Sequence, residues 1–437
     1  MRKKILAAVV MAAGIAAIVA NAIAGDAPDY ADTTLAGDWN GARQRLFDQG
    51  VDLGLDYRGE YAHNTSGGAR KTDAYADQIH LHAAFDFQKL WGWQGGSLHI
   101  DINNRNGEQI DKKARLGTLL ESQEIYGAGH VTRLTRFYLE QVLWNGLVDV
   151  KFGRMDVGVD FFPFACDFQN LGFCGALPAW ISSGIEGWPL AQTGGVIALN
   201  PSSAFTVKLG GFKVNPNNAS TAQGLKLTTS GPNVGTLMLA QVEWRTALTA
   251  GQDGQTLAGT WRIGGWHNTA RYQDVALRVD NIQNALGGDA PWMQSSVSGS
   301  YFMGQQQITH NVAGGGLSVF GNIVQADPET DLIDQMIDLG LQYQGPFAAR
   351  PRDRLGLAIG RNRVSGRVAN AERRVDAAGL GRLSVQSRYE YVAELNYQFQ
   401  FRHGLSLMPN VQYIRHPGGS RDNHDAAVVG LRLGAQF

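Results

Sequence analysis

From Val51 onward the chain alternates. Val51, Leu53, Leu55, Tyr57 and Tyr61 are apolar, and Asp52, Asp56, Arg58 and Glu60 between them are polar. Successive side chains of a strand point to opposite faces, so this segment meets oil on one side and water on the other. The same period of two returns in Ile79–Phe87, Leu98–Asn103, Phe205–Leu209, Ile337–Tyr343, Leu355–Ile359 and, most cleanly, Val429–Phe437. Segments of about ten residues with this alternation mark the strands of transmembrane barrels. The pattern predicts about sixteen strands, an even number as in bacterial barrels. They begin near residues 51, 77, 96, 133, 147, 192, 204, 236, 257, 297, 314, 334, 353, 387, 404 and 425. Ahead of them, Leu35–Gly50 reads as a short amphipathic helix with Asp38 as its cap and Gly50 as its stop.

A soluble sandwich or propeller also alternates, and three features favour the membrane. The polar faces carry Arg, Asp, Glu and His, which a small soluble barrel would replace with core side chains. Aromatic residues recur at strand ends, at Trp91, Trp93, Trp144, Trp261, Trp266, Tyr389 and Tyr391, as an interfacial girdle requires. The last strand ends on Phe437, a terminal aromatic suited to recognition by outer-membrane assembly machinery. The expected fold is therefore an all-β, antiparallel transmembrane barrel with a short periplasmic helix at its N-terminus.

Composition agrees. Gly accounts for 55 of 437 residues and Pro for 13; an ordinary chain has only ~7% Gly. Many strands and turns explain that balance better than a helical core does. The chain opens with Arg2, Lys3 and Lys4, an apolar run from Ile5 to Ala20, and Ala22-Ile23-Ala24. This is the order of a secretory signal peptide, predicted to span residues 1–24. No later run approaches the roughly 18 apolar residues of a spanning helix, so the exported chain is either periplasmic or a barrel. Removing the signal takes away three basic residues and no acidic ones from a chain with 38 Lys+Arg and 39 Asp+Glu. A net acidic mature chain gives nucleic acid no electrostatic reason to bind. A periplasmic segment, 25–50, then precedes a single barrel, 51–437, with no globular plug between them.

Catalytic signatures are absent: there is no GxSxG, HExxH or phosphate loop. Asp101–Gly107 has some flavour of a calcium loop, but Arg105 occupies a ligand position. His80 and His82 share a strand face and could chelate, yet they are explained as lumen-facing polar residues. Neither a metal nor a cofactor is expected. The stretch least like a strand is 155–188, which holds Asp156, Asp160, Phe161, Phe162, Phe164, Cys166, Phe168, Cys174, Trp180 and Trp188. A segment this long is functional or disordered, and its aromatics with an expected Cys166–Cys174 disulfide argue for order. It is expected to fold inward as a constriction; the alternative is an external loop packed only on itself.

A sugar presents hydroxyls and an apolar C–H face, which planar charged groups and aromatic rings match. Candidate contacts are Arg58, Glu60, Asp101, Asn103, Arg136, Glu140, Arg154, Asp156, Phe168, Trp180, Glu243 and Arg262, with Glu394 and Arg432 also facing the lumen. Mixed signs suit a neutral polar solute, whereas an anion-selective pore should show a basic ring. The alternatives are a general or anion-preferring porin, or a barrel enzyme or adhesin, for which no nucleophile with its base and no external domain can be assembled.

Several motifs resemble one family. Gly37–Val51, Phe164–Gly175, Glu390–Tyr397, Leu407–Ile414, Pro417–Gly419 and Val429–Arg432 are similar to segments of the carbohydrate-selective porins of the OprB-like family. The resemblance implies a sixteen-stranded barrel, monomeric or trimeric, that passes glucose, related monosaccharides and small oligosaccharides across the outer membrane. It further implies that the stretch around Cys166 and Cys174 shapes the constriction. The chain departs most from the family's pattern at Asn215–Gly235 and Asp274–Gln294, which read as external loops.

Overall fold

The computed structural model describes residues 29–164, 167–227, 231–250, 255–285, 293–311, 314–380 and 389–437. The expected signal peptide lies outside these residues, as does Cys166 and with it the bridge to Cys174.

Sixteen antiparallel strands close into one barrel. They are β1 Val51–Ser66, β2 Asp73–Asp86, β3 Gly96–Gly107, β4 Val131–Leu143, β5 Val148–Met155, β6 Gln192–Ser202, β7 Phe205–Val214, β8 Gly235–Ala250, β9 Gln255–Asn268, β10 Val297–Gln307, β11 Gly316–Gln325, β12 Ile333–Gln344, β13 Arg354–Val364, β14 Tyr389–Gln400, β15 Leu405–Arg415 and β16 Ala426–Gln436. Each pairs with its neighbours in sequence, and β1 pairs with β16 to close the ring, Glu60 opposite Arg432. Closure leaves no edge strand, so every backbone group in the wall finds a partner without water. Outward positions are apolar and exposed, as at Leu81, Ile197, Ile263, Leu339, Ile359 and Val411. No helix is long and apolar enough to cross a membrane among the described residues.

The alternation locates every strand to within four residues. The largest difference is β2, which begins at Asp73 and not at 77. Its inward residues there are Ala74 and Ala76, both buried. Their small apolar side chains hide the alternation because Ile110, Ala114 and Leu116, from the segment after β3, pack inside the barrel beside Ala74. Trp91, Trp93 and Trp144 are exposed at periplasmic strand ends, as girdle residues should be. Trp266 is a correction: it faces inward on β9, only 4% exposed, and its ring stacks on that of Tyr301. The calcium-loop flavour of 101–107 is likewise spent in β3, whose extended backbone cannot wrap an ion.

The N-terminal helix is shorter than expected. A single turn, α1 Tyr30–Thr33, precedes α2 Ala42–Asp48, which is capped by Gly41 at φ 79° and not by Asp38. Trp39, Asn40 and Gly41 all take positive φ, which breaks the helical path before Ala42. Arg43 then reaches across the seam: its guanidinium donates to the carbonyls of Leu53 at 2.6 Å and Phe437 at 2.9 Å. The Tyr30 and Trp39 rings flank that guanidinium.

The hydrophobic core lies inside the barrel. Met155, Phe161, Phe162, Leu177 and Ile181 pack on inward Leu237, Leu239, Trp266, Met303, Val324 and Met336. Inward faces are therefore apolar where a loop covers them and polar elsewhere.

Candidate translocation site

The connection between β5 and β6, residues 156–191, leaves the wall at Asp156 and runs around the inside of the barrel. Its attachments follow the strand order. Asp156 accepts from Arg136 Nε of β4 at 2.6 Å. Asp160 accepts Lys151 of β5 at 2.9 Å through its carboxylate and Lys208 of β7 at 2.8 Å through its carbonyl. The Phe162 N–H donates to Gln241 of β8, which also accepts the Tyr301 hydroxyl of β10. The Pro163 carbonyl takes Arg262 of β9 at 3.3 Å, and Asp167 takes Gln342 of β12 and Arg354 of β13. The backbone N–H groups of Gln169 and Asn170 donate to Glu394 of β14, while Asn410 and Gln412 of β15 hold their side chains. The Phe168 carbonyl accepts from Arg432 of β16.

A second inward segment, 108–130, closes the circuit. Glu124 binds Arg58 at 2.5 Å and Arg432 at 3.3 Å, and Arg432 Nε donates to Glu60 at 2.8 Å. Burial alone would raise the Glu124 carboxyl, but Arg58, Arg432 and Arg105 outweigh it and hold the group below its ordinary value. On the return limb of the first loop, burial pushes Glu186 up to about 7, with Arg133 and Arg154 offsetting part of that rise.

Parts of the inward faces of β1 and β2 stay accessible. There Asp56, Arg58, Gln78 and His82 keep partial exposure, and so does Trp188 from the return limb. Gln78 orients this arc: its carbonyl oxygen accepts Arg105 Nε at 2.8 Å and Trp188 Nε1 at 3.2 Å. The Arg136 guanidinium lies 5.0 Å from the Trp188 ring centre, and the His80 ring meets Trp188 edge-on at 4.8 Å. His80 also binds Asp101 at 2.7 Å, so Arg136, Asp101, His80 and Trp188 form one rigid set. Asn103, beside His80 in register, is 1% exposed, and neither end of its amide has a partner among the described residues.

The structure divides the sequence-derived candidates. Arg136 lies against Trp188, Asp101 binds His80 beside it, Asn103 is opposite His80 in register, and Arg58 is opposite Gln78. Glu60 lies in the Arg432 network, and Glu140 binds His99 at 3.0 Å and Lys151 at 3.7 Å. Arg154 donates to the Leu134 carbonyl, and Asp156, Glu243 and Arg262 anchor the loop or its supports. Phe168 is buried against Phe173 and Phe320, and Trp180 donates to the Cys174 carbonyl. Cys166 lies outside the described residues. Sequence reasoning missed Gln78, Trp188 as a contact, and the whole inward segment with Glu124. The 23-residue connection between Gly107 and Val131 was the available signal, since loops beyond about 12–15 residues are uncommon without a role.

A closed sixteen-stranded barrel with an apolar outer band, and a polar lumen into which its own loops fold, defines an outer-membrane channel. The chain belongs to the carbohydrate-selective porins of the OprB family, whose model matches residues 70–437. It is 35% identical to Porin B of Pseudomonas aeruginosa over 418 residues, 92% of this chain and 91% of that one. It is 32% identical to the putative porin QuiX of Acinetobacter baylyi over 426 residues, 92% and 93% of the two chains. The high-pH structure of Pseudomonas putida OprB superposes with a TM-score of 0.86 at 35% identity, covering 93% of this chain and all of that one. The low-pH structure of the same protein gives 0.59 at 26% identity, covering 93% and 99%.

Proposed function

We propose that glucose-like monosaccharides cross this barrel passively and make their decisive contacts on the β1 to β4 arc. The observation that carries the reading is Trp188, held by Gln78, His80 and Arg136 and still partly exposed. Arg58 presents planar donors to hydroxyls. An aromatic ring gives the C–H face of a sugar a surface that water cannot match. The anchored loop sets the width, and its carboxylates, paired within the wall, add little attraction for ions. Binding stays weak, because a deep well would hold the solute and slow its exit. Export with cleavage after Ala24 and recognition of Phe437 by the assembly machinery belong to the same reading.

Single-channel recording of the purified protein in planar bilayers tests it. Millimolar glucose should partly block the ion current, and phosphate should not. Strong block by phosphate with none by any monosaccharide would reject the sugar assignment in favour of an anion-preferring pore. Liposome swelling with neutral sugars separates an open channel from a closed barrel.

A further inference from the structure

On the lipid-facing side of β12 to β15, near their extracellular ends, the wall carries a groove. Its floor is apolar, with Leu339 and Ile359 directly paired and 57% and 55% exposed. Its upper lip is cationic. Arg361, Tyr391 and Arg415 stand in one row, each opposite the next across adjacent strands, and Arg421 overhangs them from the following loop. Adjacent strands lie about 4.8 Å apart, so the two arginine backbones are about 10 Å apart with a girdle tyrosine between them. No carboxylate among the described residues lies within ion-pair distance of Arg361, Arg415 or Arg421. The nearby acids are engaged elsewhere: Asp425 accepts the Tyr413 hydroxyl and the His416 N–H, and Asp334 pairs with Arg363. Arg361 spends one nitrogen on Gln335 and lies over the Tyr389 ring, while its buried Nε has no hydrogen-bond partner among the described residues. Past β16, the upper outward positions of β1 to β3 hold His63 opposite Asp73 and Asp77 opposite Asn106, so the basic lip does not extend into that stretch of wall.

We propose that this groove binds a phosphorylated glycolipid of the outer leaflet, with an acyl chain over Leu339 and Ile359 and a phosphate held by Arg361, Arg415 and Arg421. The guanidinium fork matches phosphate oxygens, and such charge-assisted bonds strengthen at the edge of a hydrocarbon layer. An apolar floor directly beneath a cationic row fits a lipid and its headgroup better than a free anion, which would leave the floor unused. The site lies on the outer wall and shares no side chain with the translocation arc.

Native mass spectrometry of the full-length mature protein, delipidated in detergent and titrated with diphosphoryl lipid A, tests this proposal. One retained lipid per chain is expected. The triple variant Arg361→Gln, Arg415→Gln, Arg421→Gln should bind at least about tenfold less, the loss of roughly one charge-assisted contact. Its single-channel conductance should be unchanged, which shows that the barrel is intact. Dephosphorylated lipid A should bind as weakly to the native protein as the phosphorylated form does to the variant. Equal binding by variant and native protein overturns the proposal, as does equal binding of the two lipids. Displacement of the lipid by an equal concentration of inorganic phosphate would reassign the lip to a free anion. A lipid-free oligomer that the triple substitution dissociates would reassign the groove to a second copy of the chain.

Discussion

Two arcs of the same wall use the same residue types for opposite ends. From β5 around to β16, inward Lys, Arg, Glu and Gln side chains are joined to a loop: Lys151 to Asp160, Gln241 to the Phe162 backbone, Glu394 to the backbone of Gln169 and Asn170. From β1 to β4 the side chains bind one another as well as the loops, His80 with Asp101, Arg136 with both Asp101 and Asp156, and Arg58 with Glu124, and several keep a face toward the lumen. In the function proposed above, the first arc fixes the aperture and the second meets the solute. A lumen-facing charge is thus no guide to a contact until the loop's course is known.

The comparison is broken most directly on the covered arc. Glu394→Ala strips the acceptor from two buried backbone N–H groups, each worth about 1–3 kcal/mol when left unsatisfied. Thermal unfolding should show a loss of about 2–6 kcal/mol, and single-channel conductance should rise as the loop leaves the wall. Unchanged conductance would mean that the loop does not set the aperture.

On the other arc, Trp188→Ala should weaken sugar block about fivefold, corresponding to about 1 kcal/mol of aromatic contact, with little change in open-channel conductance. Asn103→Leu sharpens the distinction further. Its buried amide has no partner to lose among the described residues and no exposed atom to offer a sugar, so the unfolding temperature should hold or rise while sugar block stays unchanged. A variant that unfolds earlier would show that Asn103 is structural after all.

The smallest effect concerns Glu186. Because burial raises its folded value to about 7, the fold favours the protonated form. That stability is present at acid pH and is lost as pH rises through about 7. Lowering the pH from 8 to 6 should therefore remove one negative charge beside Arg133 and Arg154 and shift the reversal potential in a KCl gradient toward anion preference. Glu186→Gln should lie at the acid limit throughout.

Strand positions were legible because alternation is imposed locally by the membrane. Their limits blur only where a loop packs inside, as at Ala74 and Ala76. The polar character of the lumen was equally legible; the partition of Arg58 and Asp101 from Arg262 and Glu243 was not. That partition depends on contacts such as Asn170 with Gln412, 242 residues apart, which no local pattern encodes. Trp266 shows the same limit from the other side, since an aromatic near a strand end suits a girdle or a core equally well. The helix was placed correctly but overextended, because the left-handed run at Trp39, Asn40 and Gly41 leaves little trace in hydrophobic periodicity.

The Arg43 clasp bears on the order of assembly. Its two acceptors are Leu53, ten residues along the chain, and Phe437, 394 residues along. The guanidinium can therefore bridge both only once Phe437 has been delivered and β1 and β16 have met. Contacts between such distant segments form slowly, since loop closure comes before any gain from them. Until then α2 has one acceptor within reach, and the completed bridge marks a finished cylinder, distinguishing it from a curved sheet still open at its seam.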